Sequence, residues 1–85
     1  MKRLTEKDIA ALVGTTVAGY EILQARAKGG RYSDSDCFGI ALGKNAVGNY
    51  VTWQFKIVDE QYDCFWGHYF SEDKNAALED YRVRE

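Results

Sequence analysis

"VAGYEILQARAK", residues 17–28, reads two ways, and the choice decides the fold. As a strand, Tyr20, Ile22 and Gln24 share one face, and Leu23 and Ala25 point the other way. As a helix, "EILQARAK" is made largely of good helix formers, and Gly29-Gly30 would stop it. Periodicity alone does not separate the two in so short a run. The strand reading gives an antiparallel sheet with a helix at each end of the chain. A strand is the expectation.

Upstream, Thr5 is placed to cap a helix, and Asp8 can return a hydrogen bond to the Thr5 amide as a variant capping box. Leu4 and Ile9 can form a hydrophobic staple. Ile9, Leu12 and Val13 line one face, and Gly14 can end the helix in a left-handed conformation.

Downstream, "GGRYSDSD" is a loop by composition. "CFGIALG" then alternates: Phe38, Ile40 and Leu42 on one face, and Cys37, Gly39, Ala41 and Gly43 on the other. The second face is nearly bare, so another element can approach it closely. "NYVTWQFKIVDEQYDCFWGHYFS" reads as a hairpin. An even loop, at Glu60-Gln61 or at 59–62, would set Ile57 opposite Cys64, Phe55 opposite Trp66, Trp53 opposite His68 and Val51 opposite Phe70. Trp66 and Phe70 are then expected in the core. Ser71 is the expected cap of a last helix, whose Ala77, Leu78 and Tyr81 form a buried stripe.

The expected architecture is therefore α+β: an N-terminal helix, a four-stranded antiparallel sheet and a C-terminal helix packed on the Trp53 face. Eighty-five residues give one domain, 1–85, with room for one small core. At 46% hydrophobic residues the chain can build that core. The net charge of −2 argues against broad phosphate binding, which needs clustered Lys and Arg. Lys2, Arg3, Lys7, Arg26, Lys28, Arg31, Arg82 and Arg84 read as solvated surface charge, with a weak basic patch as the alternative. Cys37 and Cys64 form no Cys-x-x-Cys pair, and no apolar run follows Lys2 and Arg3. A cytoplasmic protein with reduced thiols is expected, with no membrane span.

The chemistry-bearing residues are few. Cys64 and His68, four apart on a strand, would stand ~13 Å from each other and could share neither an ion nor a proton. Cys37 with His68 stays geometrically open across strands. "SDSD" at 33–36 lacks the glutamate and further ligands of a calcium loop. No phosphate loop, dinucleotide fingerprint or serine elbow is present. No catalytic residue, metal or cofactor is therefore expected. His68 reads as a sheet residue near Trp53, or as a polar contact within a binding surface. The candidate surface is the reverse face of the hairpin: Tyr50, Thr52, Gln54, Phe65 and Tyr69, with His68 at its border and Gly67 leaving a gap.

"TTVAGYEIL", "ALGKN", "YVTWQF", "WGHYF" and "AALEDYRVR" together resemble small uncharacterised proteins of gut Firmicutes, often carried on conjugative or phage-like elements. That resemblance implies an α-β-β-β-β-α order and supports a strand at 17–28. It brings no assigned activity. "KDIAALVGTTVAGYEILQ" is similar to a helix-turn-helix, with Ala10 and Gly14 at matching spacing and only Gln24, Arg26 and Lys28 as donors on the second helix. "FWGHYFSEDKNAALEDY" resembles the strand-then-helix end of three-stranded DNA-binding domains of plant transcription factors and some integrases. Those domains read the groove with arginines on the sheet, where this chain offers only Lys56. The expected function is a non-catalytic cytosolic interaction module, an accessory protein of a mobile element. Its partner is expected to be another protein, and the module itself a monomer or weak homodimer. A DNA-binding regulator is the alternative.

Overall fold

A computed structural model describes residues 3–28 and 37–84. The expected loop at 29–36, with its "SDSD", lies outside the described residues. The element order is α1 (Glu6–Leu12), β1 (Thr16–Val17), β2 (Tyr20–Ala27), β3 (Gly39–Asn45), β4 (Tyr50–Val58), β5 (Gln61–Ser71) and α2 (Lys74–Val83). The class is α+β, with a helix at each end as expected. The sheet, however, is an antiparallel meander of five strands in the order β1-β2-β3-β4-β5, not four. No helix among the described residues is long and apolar enough to cross a membrane.

Residues 20–27 are extended, so no recognition helix forms there. The fifth strand comes from a turn inside the ambiguous segment. Ala18 and Gly19 take φ of +51° and +85°, which folds Thr16–Val17 back onto Tyr20 and Glu21 as a tight hairpin. Farther on, Ile22 pairs with Gly43 but Gln24 pairs with Leu42, so the ladder slips at Leu23. That slip corrects the simple alternation. Ala25 returns to the Ile22 cluster, and Leu23 packs in the opposite one.

The N-terminal cap forms as the sequence dictates. Thr5 Oγ1 accepts from the Asp8 amide at 3.1 Å, and Asp8 Oδ2 accepts from the Thr5 amide at 3.0 Å. Leu4 and Ile9 pack against the core together. Val13 is the C-cap and is exposed, so it does not extend the buried face with Ile9 and Leu12.

Two cores lie on the two faces of the sheet. On the first, α1 contributes Leu12 to a cluster with Ile22, Ala41, Val51, Trp53 and Phe55. On the second, Ala77 and Tyr81 of α2 pack on Ile40, Leu42 and Tyr50. Thus α2 covers the face opposite Trp53, and α1 covers the Trp53 face, contrary to expectation. The reason lies in β3, whose two faces differ. Ile40 and Leu42 present a continuous apolar surface to which small Ala77 lets α2 approach. The bare face of β3 takes the Phe55 ring instead, because a Cβ at Gly39 would lie only 2.3 Å from Phe55 Cζ. Strand β4 is sandwiched between these layers, and Tyr50 through Phe55 are all buried.

Candidate functional site

The β4–β5 hairpin turns at Asp59 and Glu60, whose φ values of +51° and +67° are those of a two-residue primed turn. The loop is even, as expected, but the register differs by two residues. Ile57 faces Tyr62, and Phe55 faces Cys64. Cys64 lies on the α1 face, where burial and the neighbouring Asp63 charge push its thiol up to about 11.

Past Phe65 the strand bulges. Gln54 pairs with Phe65 and Thr52 with His68, so Trp53 alone stands opposite both Trp66 and Gly67. Trp66 takes φ of +52°, a left-handed conformation uncommon for a bulky residue. The extra residue exchanges the faces of the strand beyond it. His68 therefore lies beside Thr52 on the α2 side, not beside Trp53. Tyr69 pairs with Val51, on the α1 side, with its ring 6.4 Å from Tyr20. Cys64 and His68 end on opposite faces. Gly67 leaves no open gap, because a Cβ there would sit 2.8 Å from Trp53 Nε1 and 2.9 Å from the Tyr69 ring. A second slip between Val51 and Tyr50 leaves Phe70 against the α2-side cluster.

The α2 side of the bulge gathers a polar cluster. Thr52 Oγ1 donates to Asp80 Oδ2 at 2.5 Å, and His68 Nδ1 lies 3.0 Å from the same oxygen. Arg84 donates from Nη1 to Thr52 O at 2.9 Å and to Thr52 Oγ1 at 3.2 Å, and from Nη2 to the Trp66 carbonyl. Partial burial by itself would raise the Asp80 carboxyl. The hydrogen bonds from Thr52 and His68, with the charges of His68 and Arg84, outweigh it and hold the group below its usual range. Chemically this is a clamp. The Thr52 hydroxyl is fully buried and its proton goes to the carboxylate, so His68 does not activate it. Asp73, not Ser71, caps α2, accepting from the Ala76 amide at 3.0 Å. Among the described residues, no group of three His, Cys, Asp or Glu gathers as a metal ion requires.

Arg26, expected as surface charge, has a structural task. Its Nη2 donates to Tyr81 O at 2.8 Å and to Arg84 O at 2.6 Å, closing the carbonyl end of α2. The signal in the sequence was its place on the strand face that α2 covers, which could not be known before the sheet's faces were assigned.

The expected binding face is largely covered. Tyr50, Thr52 and Gln54 are 7%, 0% and 3% exposed, under α2 and the neighbouring strands. Phe65 is half-buried, and His68 and Tyr69 are exposed but on opposite faces. What remains open is the part of the α2-side face beyond the end of the helix. Phe65 meets Phe38 edge to face at 6.2 Å and Trp66 at 5.0 Å, and Trp66 is 68% exposed. Contrary to expectation, Trp66 lies outside the core, turned out by the bulge. Compared with protein-family models, curated proteins and solved structures, the chain matches none.

Proposed function

We propose that this chain is a non-catalytic protein-interaction module, and that its contact surface is the aromatic edge formed by Phe65 and Trp66, bordered by His68 and Tyr69. The observation that carries this reading is Trp66. A solvent-exposed indole keeps apolar surface in water at a cost, yet the Trp66 backbone that turns it outward is left-handed and is fixed by the Arg84 guanidinium at its carbonyl. Trp and Tyr are the residues that most often anchor protein interfaces, because each buries a large area and loses little side-chain entropy. Among the described strands β5 is also an edge, bonded to β4 on one side. A cytoplasmic accessory protein of a mobile element is the setting that the resemblance of the strand motifs supports. The DNA-binding alternative loses its main support, since the segment that would be a recognition helix is β2.

Quantitative affinity capture from a bacterial lysate tests the reading. The wild type, Trp66→Ala, and Val47→Ala as an exposed control in the β3–β4 turn are compared by mass spectrometry. A protein retained by the wild type and the control, and lost by Trp66→Ala, is the expected result. Identical profiles for all three would contradict it.

A further inference from the structure

The open end of the α2-side face is not only aromatic. Lys28 on the β2 side has its Nζ 5.8 Å from the centre of the Phe38 ring, and Lys56 Nζ lies 5.4 Å from the Phe65 ring. The Lys28 amide donates to Phe38 O at 2.8 Å, extending the β2–β3 ladder and fixing the first cation beside the first ring. The result is a strip of touching rings, Phe38, Phe65 and Trp66, with Lys28 by the first and Lys56 by the second. Phe38 and Phe65 belong to neither core cluster. Among the described residues Lys28 meets no carboxylate, and Lys56 meets only Asp63, at 4.0 Å on the exposed edge.

From this strip we infer that the partner segment is acidic: a short stretch of Asp or Glu with an apolar side chain among them, lying across β3, β4 and β5. This rests on the interaction-module reading and names the chemistry of its partner. The Lys28 ammonium is set by a ring with no carboxylate near it among the described residues, and Lys56 has only a 4.0 Å contact with exposed Asp63, so a carboxylate arriving from outside finds both cations pre-positioned. Trp66 supplies the apolar anchor at the end of the strip. A single-stranded nucleic acid is the rival polyanion, and the geometry disfavours it. Successive bases stack on successive open rings, whereas lysines sit by Phe38 and Phe65 and leave Trp66 as the open ring of the strip.

Amide chemical shifts of the 15N-labelled full chain read the test. The probes are an eight-residue peptide alternating glutamate and leucine, its lysine–leucine counterpart, and an eight-nucleotide oligothymidine. The glutamate peptide should shift Lys28, Phe38, Lys56, Phe65 and Trp66 saturably, and the lysine peptide should not. The double variant Lys28→Gln/Lys56→Gln should bind the glutamate peptide about tenfold more weakly. Asp63→Asn should bind it more tightly, because it removes the acid that Lys56 meets among the described residues. Lys28 and Lys56 are half-buried and Asp63 is exposed, and an otherwise unshifted spectrum of each variant checks the fold directly. No saturable shift, shifts elsewhere, tighter binding of the oligonucleotide, or indifference to the lysines would overturn the inference. The capture experiment with Trp66→Ala stands apart. A partner lost with Trp66 and kept by the lysine double variant leaves the interaction reading intact and removes the acidic partner.

Discussion

His68 pairs with Thr52 across β4 and β5, and both side chains reach the same oxygen, Asp80 Oδ2. This convergence fastens α2 to the sheet at the point where β5 changes face. It also makes Asp80 the acid on which the docking of α2 depends.

Asp80→Asn should therefore lower stability by about 1 kcal/mol at pH 7, by weakening charge-assisted hydrogen bonds. The folded-state carboxyl is held below its ordinary value. Its contribution is thus fully present above the unfolded value of about 4, and is lost as pH falls through the lower folded value. Urea unfolding of both proteins across pH should show the gap narrowing below about pH 4. A gap that is constant with pH would separate Asp80 from the clamp.

Arg26→Ala should cost about 1.5–3 kcal/mol, the range for hydrogen bonds made by a charged donor. Its guanidinium holds the last carbonyls of α2 and stacks 5.5 Å from the Tyr81 ring centre. Arg26→Lys should recover little, since an ammonium cannot span Tyr81 O and Arg84 O as a planar fork does. Hydrogen exchange localises the effect: amides of α2 should lose protection before those of β3.

Cys64 should be nearly inert in the folded protein. With its thiol pushed up to about 11, the thiolate fraction at pH 8 is roughly 100-fold below that of a free cysteine. In Cys37→Ser, labelling by iodoacetamide should be slow in buffer and fast in urea. Fast labelling in buffer would place Cys64 outside the α1-side core.

Gly39→Ala tests the packing of the bare β3 face. The added methyl would meet Phe55 Cζ at 2.3 Å and the backbone oxygen of Arg26 at 2.7 Å, and the second of these cannot swing aside. A loss of about 1–3 kcal/mol is expected from overpacking. Phe55→Leu combined with it should restore part of that loss, since it removes the ring.

Much of this was legible in the residues. The Thr5–Asp8 capping box, the even hairpin loop, the Ala77–Tyr81 stripe and the bare face of β3 each follow from local spacing. The strand at 20–27 was legible too, but the turn at Ala18 and Gly19 was not, because only the glycine signals a positive φ. The bulge at Trp66 left no trace in "CFWGHYF". Aromatic residues on both parities give the same alternation with or without a one-residue slip, so the register that put the most apolar residues on one side looked best. That slip moved His68 to the α2 side, Tyr69 to the α1 side and Trp66 into solvent. The covering of Tyr50, Thr52 and Gln54 had a separate cause, which was the face that α2 chose.

The bulge is the feature on which the surface assignment rests, and nuclear Overhauser contacts from the His68 ring protons test it most directly. The account expects contacts to the Thr52 methyl and the Asp80 β protons, and none to the Trp53 indole. Contacts to Trp53 without those to Thr52 and Asp80 would restore an unbroken β5, return Trp66 to the interior, and contradict the account.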